Sequence, residues 1–316
     1  MVGERTEEGL PALTLESPAL GGLMAIFVPE AGMICCSLRH RGEELLGQRG
    51  GLASYLETGS TMGIPFLHPW ANRLGASRFE LAGRQVDLEL EGLHLKRDER
   101  GLPIHGLLAA ARGWRVTNHL ETEDGGTLAA SFDFASYPRL LDAFPFPHQV
   151  RIEATLSGAE LTIATTVQAG EERPVPVSFG FHPYFRLPGI PRSDWELTAP
   201  VHERLLLDEQ MLPTGRREAA RIEPGPLGSR TFDDPFLAPG AGEAFALEGG
   251  GRRVEVRIGA GYDYCQLYAP GDDEVVAIEP MTAPTNALLS GEGLRLLAPG
   301  ESFSASFAIA ISERPA

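Results

Sequence analysis

The stretch FGFHPYFRLPG, residues 179–189, sets His182 between apolar residues and follows it with a proline, two aromatics and an arginine. Nothing in a hydrophobic core requires an imidazole there. The residue is a packed spectator, a metal ligand, or an acid–base group held in a stiff frame. Glu279 is the second conspicuous group: in VVAIEPMTAPTNAL (275–288) it directly follows the apolar run Val275-Val276-Ala277-Ile278 and precedes Pro280. A carboxylate ending an apolar strand is costly to bury unless paired, and such positions are where proton chemistry is built. Other polar groups in turn-rich settings are His68, Asn72 and Arg73 in PFLHPWANRLG (65–75), His105 in GLPIHGLL (101–108), and Asp233 with Asp234 in TFDDPFL (231–237). Taken singly, each also has a structural reading: a histidine with its hydrogen bonds met, an ion-pairing arginine, an Asp-Asp-Pro turn.

Spacing removes several chemistries. The histidines, at 40, 68, 94, 105, 119, 148, 182 and 202, form no His-x3-His or HExxH pattern. No G-x-S-x-G elbow is present, and no G-x-G-x-x-G follows a strand. A formal charge of −16 opposes a nucleic-acid or anionic-membrane surface, since both need clustered basic residues. Of the 27 basic residues one is lysine, Lys96, and the rest are arginine. It lies in HLKRDER (94–100), whose own acids offset its bases, so the segment reads as a solvated loop. Cys35, Cys36 and Cys265 make neither a disulfide nor a metal framework and read as small buried hydrophobes in a reducing compartment. The N-terminal residues lack a basic region followed by an apolar one, and no apolar run approaches about 18 residues. A cytoplasmic protein without membrane contact is expected.

The elements that must position these groups alternate with period two. Val150, Ile152, Ala154 and Leu156 precede a turn at Ser157-Gly158, and Leu161, Ile163 and Val167 follow it, which predicts a hairpin. RQVDLELEG (Val86, Leu88, Leu90), RRVEVRI (Val254, Val256, Ile258) and ESFSASFAIAIS (Phe303, Phe307, Ile309, Ile311) carry the same signature of half-buried antiparallel strands. Helical periodicity is scarce, with weak candidates at 52–58 and 203–211. No linker or repeat divides the chain. The expectation is one all-β domain over residues 1–316, a large antiparallel β-sandwich with few short helices.

In combination these segments resemble the aldose 1-epimerase (galactose mutarotase) family. The resemblance rests on NRLG with Asn72 and Arg73, IHGLL with His105, FHPYFRL with His182, FDDPF with Asp233, IEPMTAPTNAL with Glu279, and the loop DEQMLPTG (208–215), in family order over roughly residues 20–310. It implies the galactose mutarotase-like supersandwich, a concave face that binds a monosaccharide (an aldohexose or aldopentose), and no metal or organic cofactor. The implied reaction interconverts α- and β-anomers, with Glu279 as base and His182 as acid. Arg73, His105, Asp233 and Asn72 would bind the sugar, and Gln266 in YCQLYAP would bind a further hydroxyl, although its spacing to Glu279 is short. Asp233 is preferred to Asp234 because the family pattern has an aromatic three residues on, here Phe236. His68 departs from the pattern, standing where an apolar or small residue is expected. The acid role asks for His182 protonated near pH 7, its pKa undepressed by burial and upheld by nearby carboxylates. Two rivals stand beside this reading: hexose 6-phosphate epimerisation using Arg39, Arg78 or Lys96, and a sugar-binding or regulatory protein without catalysis. Monomer and homodimer are both open.

Overall fold

Alternating strands can bury one face only by pairing sheets, and this chain does so on a large scale. The structure is a computed structural model describing residues 1–313, so residues 314–316 of the expected domain span lie outside the described residues. A nine-stranded antiparallel sheet has the order 225–226, 196–198, 245–249, 252–258, 302–313, 160–169, 148–157, 125–133 and 115–122. Facing it is an eight-stranded sheet in the order 213–219, 203–207, 232–237, 264–269, 276–281, 180–181 and 66–67, with Tyr184–Phe185 also paired to Val276–Met281. The result is a β-sandwich. The two sheets meet through Phe181 and Phe307, ring centroids 5.1 Å apart, and through Phe179 and Phe303 at 6.3 Å. The apolar cluster between them runs from Leu15 to Ile311. A five-stranded sheet, Val2–Glu7 through Glu43–Glu44, and a smaller cluster around Ile26, Ile34 and Tyr55 complete the N-terminal end.

The hairpin expected around Ser157-Gly158 is present as His148–Ser157 and Glu160–Ala169, and Arg252–Ile258 and Ser302–Glu313 are strands. Gly51–Thr58 is a helix, but residues 203–211 are not. Glu203–Leu207 is a strand, paired with Pro213–Ala219 and Phe232–Leu237. Sheet pairing on both sides overrides the helical preference of its leucines. The strand expected across Val86–Leu90 ends at Asp87, whose carboxylate accepts the Glu89 N–H at 2.9 Å and turns the chain. Cys35, Cys36 and Cys265 are buried and free, and burial pushes the Cys36 thiol up to about 12. Among the described residues no helix is long and apolar enough to cross a membrane.

Candidate active site

Period-two alternation sorts the residues of the eight-stranded sheet. Along 264–269, Cys265, Leu267 and Ala269 enter the inter-sheet core, so Gln266 and Tyr268 take the other face. In register with them, Glu279 lies opposite Gln266, Ala277 opposite Tyr268, and Asp233 opposite Tyr268 on the far side. Ile278 and Phe236 point into the core. Glu279, Gln266, Tyr268 and Asp233 therefore share the outer face, while Asp234 takes the opposite one and pairs with Arg204 at 3.0 Å. Spacing makes Gln266 and Glu279 direct cross-strand neighbours because they belong to one hairpin.

His182 is aimed by its frame. Phe181 is anchored in the core, Pro65 O accepts the His182 N–H at 3.2 Å, and Pro183 O accepts the Ile278 N–H at 3.3 Å. A Cβ at Gly180 would stand 2.6 Å from Pro280 O, so the approach of this segment to the Glu279 strand requires glycine. Tyr184 stacks on the imidazole with centroids 4.2 Å apart.

The wall of the cleft comes from two loops locked together. Asn72 and His105 both hold positive φ, 57° and 68°. Asn72 O accepts the His105 N–H at 3.0 Å, Pro103 O accepts Leu74 N–H at 2.9 Å, and Arg73 O accepts Asn286 N–H at 3.0 Å. Asn72 Oδ1 accepts from the Arg73 N–H and its Nη1, at 2.8 and 3.2 Å. The guanidinium is fixed from behind by Asp98, whose Oδ2 accepts from Arg73 Nε at 2.9 Å.

These elements enclose a cleft of about 180 Å³ lined by Asn72, Arg73, His105, His182, Asp233 and Glu279, and also by Arg49, Thr61, Lys96, Ile104, Tyr184 and Tyr268. His182 Nε2 lies 3.1 Å from Glu279 Oε1 and 3.2 Å from Tyr184 Oη. Glu279 Oε2, the Nδ1 atoms of His182 and His105, and Gln266 Oε1 are buried with no hydrogen-bond partner among the described residues. Unsatisfied buried polar atoms converging on one cleft cost stability unless a polar ligand meets them.

Burial dominates the electrostatics. It pushes Glu279 well above the usual carboxylate range, with Asp233 adding to the rise and Arg73 opposing it. It pushes His182 well below the ordinary imidazole value, and Lys96 and Arg49 push it further down. The expectation of an undepressed His182 is thus overturned: cations as well as burial act on the ring, and its carboxylate neighbour is itself pushed towards the protonated form. In contact, the two groups titrate as a coupled pair rather than as independent residues. His105 is also pushed well below the ordinary imidazole value, by burial first and then by His182, Lys96, Arg73 and Arg49. Asp233 is raised by burial against the pull of Arg73 and Gln266.

Of the residues singled out from sequence, Glu279, His182, Arg73, His105, Asp233 and Asn72 converge on the cleft. Gln266 lies behind it, donating from Nε2 to Asp233 Oδ1 at 2.6 Å. His68 lies elsewhere, buried with its Nε2 2.6 Å from that of His148. The segment HLKRDER is not simply a solvated loop, because Lys96 lines the cleft and Asp98 holds Arg73. Arg39 and Arg78 are remote, paired with Glu44 and Asp87. Arg49 and Thr61 lie outside every motif, and Tyr268 stands within YCQLYAP without having been singled out. Arg49 Nη1 donates to Tyr184 Oη at 2.8 Å, and Thr61 Oγ1 lies 2.7 Å from the same oxygen. Tyr184 stands within the FHPYF segment, and its place two residues after His182 was its only mark in the sequence.

Solved structures share this architecture. A galactose mutarotase-like protein from Clostridium acetobutylicum superposes with a TM-score of 0.85 at 20% identity, over 99% of this chain and 98% of that one. The Slr1438 protein from Synechocystis sp. PCC 6803 gives 0.77 at 24% identity over 98% of both chains. Galactose 1-epimerase from Lactobacillus acidophilus NCFM gives 0.77 at 15% identity, over 100% of this chain and 99% of that one. At such identities the likeness is one of fold. No curated protein matches the sequence. The sequence model of the aldose 1-epimerases, however, matches residues 20–310, nearly the whole chain, and the protein belongs to the aldose 1-epimerase family.

Proposed function

We propose that the protein is an aldose 1-epimerase that interconverts the α- and β-anomers of a monosaccharide by opening and reclosing the ring. The observation that carries this reading is the contact of a buried carboxylate, Glu279, with a buried imidazole, His182, at 3.1 Å on the floor of a polar cleft.

Ring opening needs one proton taken from the C1 hydroxyl and one given to the ring oxygen. Glu279 accepts the first and His182 donates the second. The C1–O5 bond breaks, the C1–O1 bond becomes the carbonyl, and the open aldehyde turns about C1–C2. Closure on the other face returns both protons to their donors. Such a cycle requires a pair carrying one proton in all. Protonated Glu279 with neutral His182, and ionised Glu279 with imidazolium, differ only by a shift across their contact. Each positioned acid or base contributes about 10²–10⁴-fold. Together they lower the barrier by roughly 5–11 kcal/mol. Arg73 and Asp233, braced by Asp98 and Gln266, orient hydroxyls, and His105 offers a further ring nitrogen. Anomeric exchange of glucose, galactose, xylose and arabinose, followed by NMR with the purified chain, tests the reading. Acceleration of at least one sugar is expected; no acceleration of these sugars or of their acidic derivatives would exclude it.

A further inference from the structure

Three cations, Arg49, Arg73 and Lys96, line a cleft whose proposed reaction on a neutral sugar calls for no such excess. Two of them are already engaged: Arg73 pairs with Asp98 at 2.9 Å and Arg49 with Asp273 at 3.1 Å. The carboxylates that face the cleft are engaged as well, Glu279 with His182 and Asp233 with Gln266. Among the described residues no carboxylate pairs with Lys96, and its charged neighbours are Arg49 and Arg73. Its backbone is pinned, Lys96 O accepting the Ile104 N–H at 3.0 Å, and its methylene stem packs beside Gly59.

Composition sharpens the point. One of the chain's 27 basic residues is a lysine, and it lines this cleft. A chain that otherwise uses arginine for every cation has here the compact ammonium, with three rotatable donors and no fixed fork geometry. A half-buried ammonium sharing a cleft with two guanidiniums is unfavourable, and burial with Arg49 and Arg73 lowers it to about 8. An oxyanion entering the cleft removes that cost. The overall charge of −16 repels anions at long range, so attraction must be local, through the focused field of a low-dielectric cleft.

We propose that the sugar this cleft takes carries an anionic oxygen group, a carboxylate or a phosphate, which Lys96 binds with Arg49 beside it. The ring-opening step rests on the epimerase reading above; selectivity for an acid sugar does not.

The test pairs each acid sugar with its neutral parent: glucuronate and glucose 6-phosphate against glucose, and galacturonate against galactose. Anomeric exchange and calorimetric binding are both measured on the full chain and on Lys96→Met. A charge-assisted contact predicts about 10–100-fold higher kcat/KM, and correspondingly tighter binding, for at least one acid over its parent. Lys96→Met brings that ratio to within about threefold of one, and Lys96→Arg restores part of it. A preference for the uronates assigns the carboxylate, and one for the 6-phosphate assigns the phosphate. Neutral parents bound and turned over as well as the acids, or a ratio untouched by Lys96→Met, would overturn the proposal. Acid-selective binding without anomeric exchange would overturn the epimerase reading and leave this one standing.

Discussion

His182 Nε2 and Glu279 Oε1 stand 3.1 Å apart, and burial moves the two groups in opposite directions, the carboxyl up and the imidazole down. In water the carboxyl would lose its proton about two pH units before the imidazole. Here the carboxyl is raised and the imidazole lowered, so the coupled pair's titrations move away from the ordinary values of both groups. The prediction is a pH–rate profile with a broad plateau through neutrality and no inflection near the ordinary histidine value. Activity falls on the acid side as the pair takes a second proton and on the alkaline side as it loses its last. A profile with a single limb centred at about 6.5, the free imidazole value, would refute the shared proton.

Glu279→Gln is expected to lower kcat by about 10²–10⁴-fold, as is His182→Asn. The first variant also makes a stability prediction whose sign follows from linkage. In the unfolded chain Glu279 ionises above its ordinary value, while in the native protein burial keeps it protonated to higher pH. Between those two values the native state holds the extra proton, and stability declines as pH rises, by about 1.4 kcal/mol per unit for one such group. Glutamine does not titrate. The melting temperature of the variant should therefore exceed that of the parent at pH 7, with the gap closing towards acid pH. Calorimetric scans at several pH values give the answer, and a constant gap would contradict the raised carboxyl.

Asp98 acts on the cleft through Arg73. Its Oδ2 accepts from Arg73 Nε at 2.9 Å, while its Oδ1 accepts the N–H groups of Leu102 and Arg100 at 2.8 and 3.0 Å. Asn at this position retains the loop-closing oxygen and sets an amide N–H₂ against the guanidinium. Asp98→Asn should leave the protein folded, with a loss of about 1.5–3 kcal/mol for the charged hydrogen bond. It should release Arg73, and a displacement near 1 Å lowers kcat/KM by about 10²-fold. Steady-state kinetics beside a urea titration separates the two. Unchanged kcat/KM would remove Arg73 from the substrate's surroundings.

What could be read from sequence divides along physical lines. The 148–169 hairpin was legible because its alternation is local, and Glu279 because an acid closing an apolar run has few benign explanations. Asp233 and Asp234 could not be separated by composition; register separates them, since only Asp233 shares a face with Glu279. Lys96 and Asp98 were obscured because adjacent opposite charges suggest solvent, whereas here the chain folds Asp98 against Arg73, 25 residues away. Arg49 had no local mark at all, and its role depends on meeting Tyr184 across 135 residues. The depression of His182 was invisible for the same reason, as it depends on how deep the cleft is and on which cations line it.

The His68–His148 contact, remote from the cleft, predicts how the fold responds to acid. His148 Nδ1 donates to Phe146 O at 2.6 Å, so its Nε2 is the acceptor for His68 Nε2–H at 2.6 Å. Both rings are buried among Phe66, Phe134 and Phe144. Protonating His148 would set N–H against N–H in a buried site, and burial accordingly lowers His148 to about 4 and His68 well below its usual value. Unfolded, both would titrate near 6.5. As pH falls below that value the unfolded chain takes up two protons that the native state refuses, so stability is full above it and is lost on the way down to about 4. The slope approaches about 2.7 kcal/mol per pH unit for the two groups. His68→Leu with His148→Leu removes both titrations. Urea unfolding at pH 7, 6 and 5 should show the double variant losing stability more slowly than the parent. Equal slopes would mean that the pair is already protonated in the native protein.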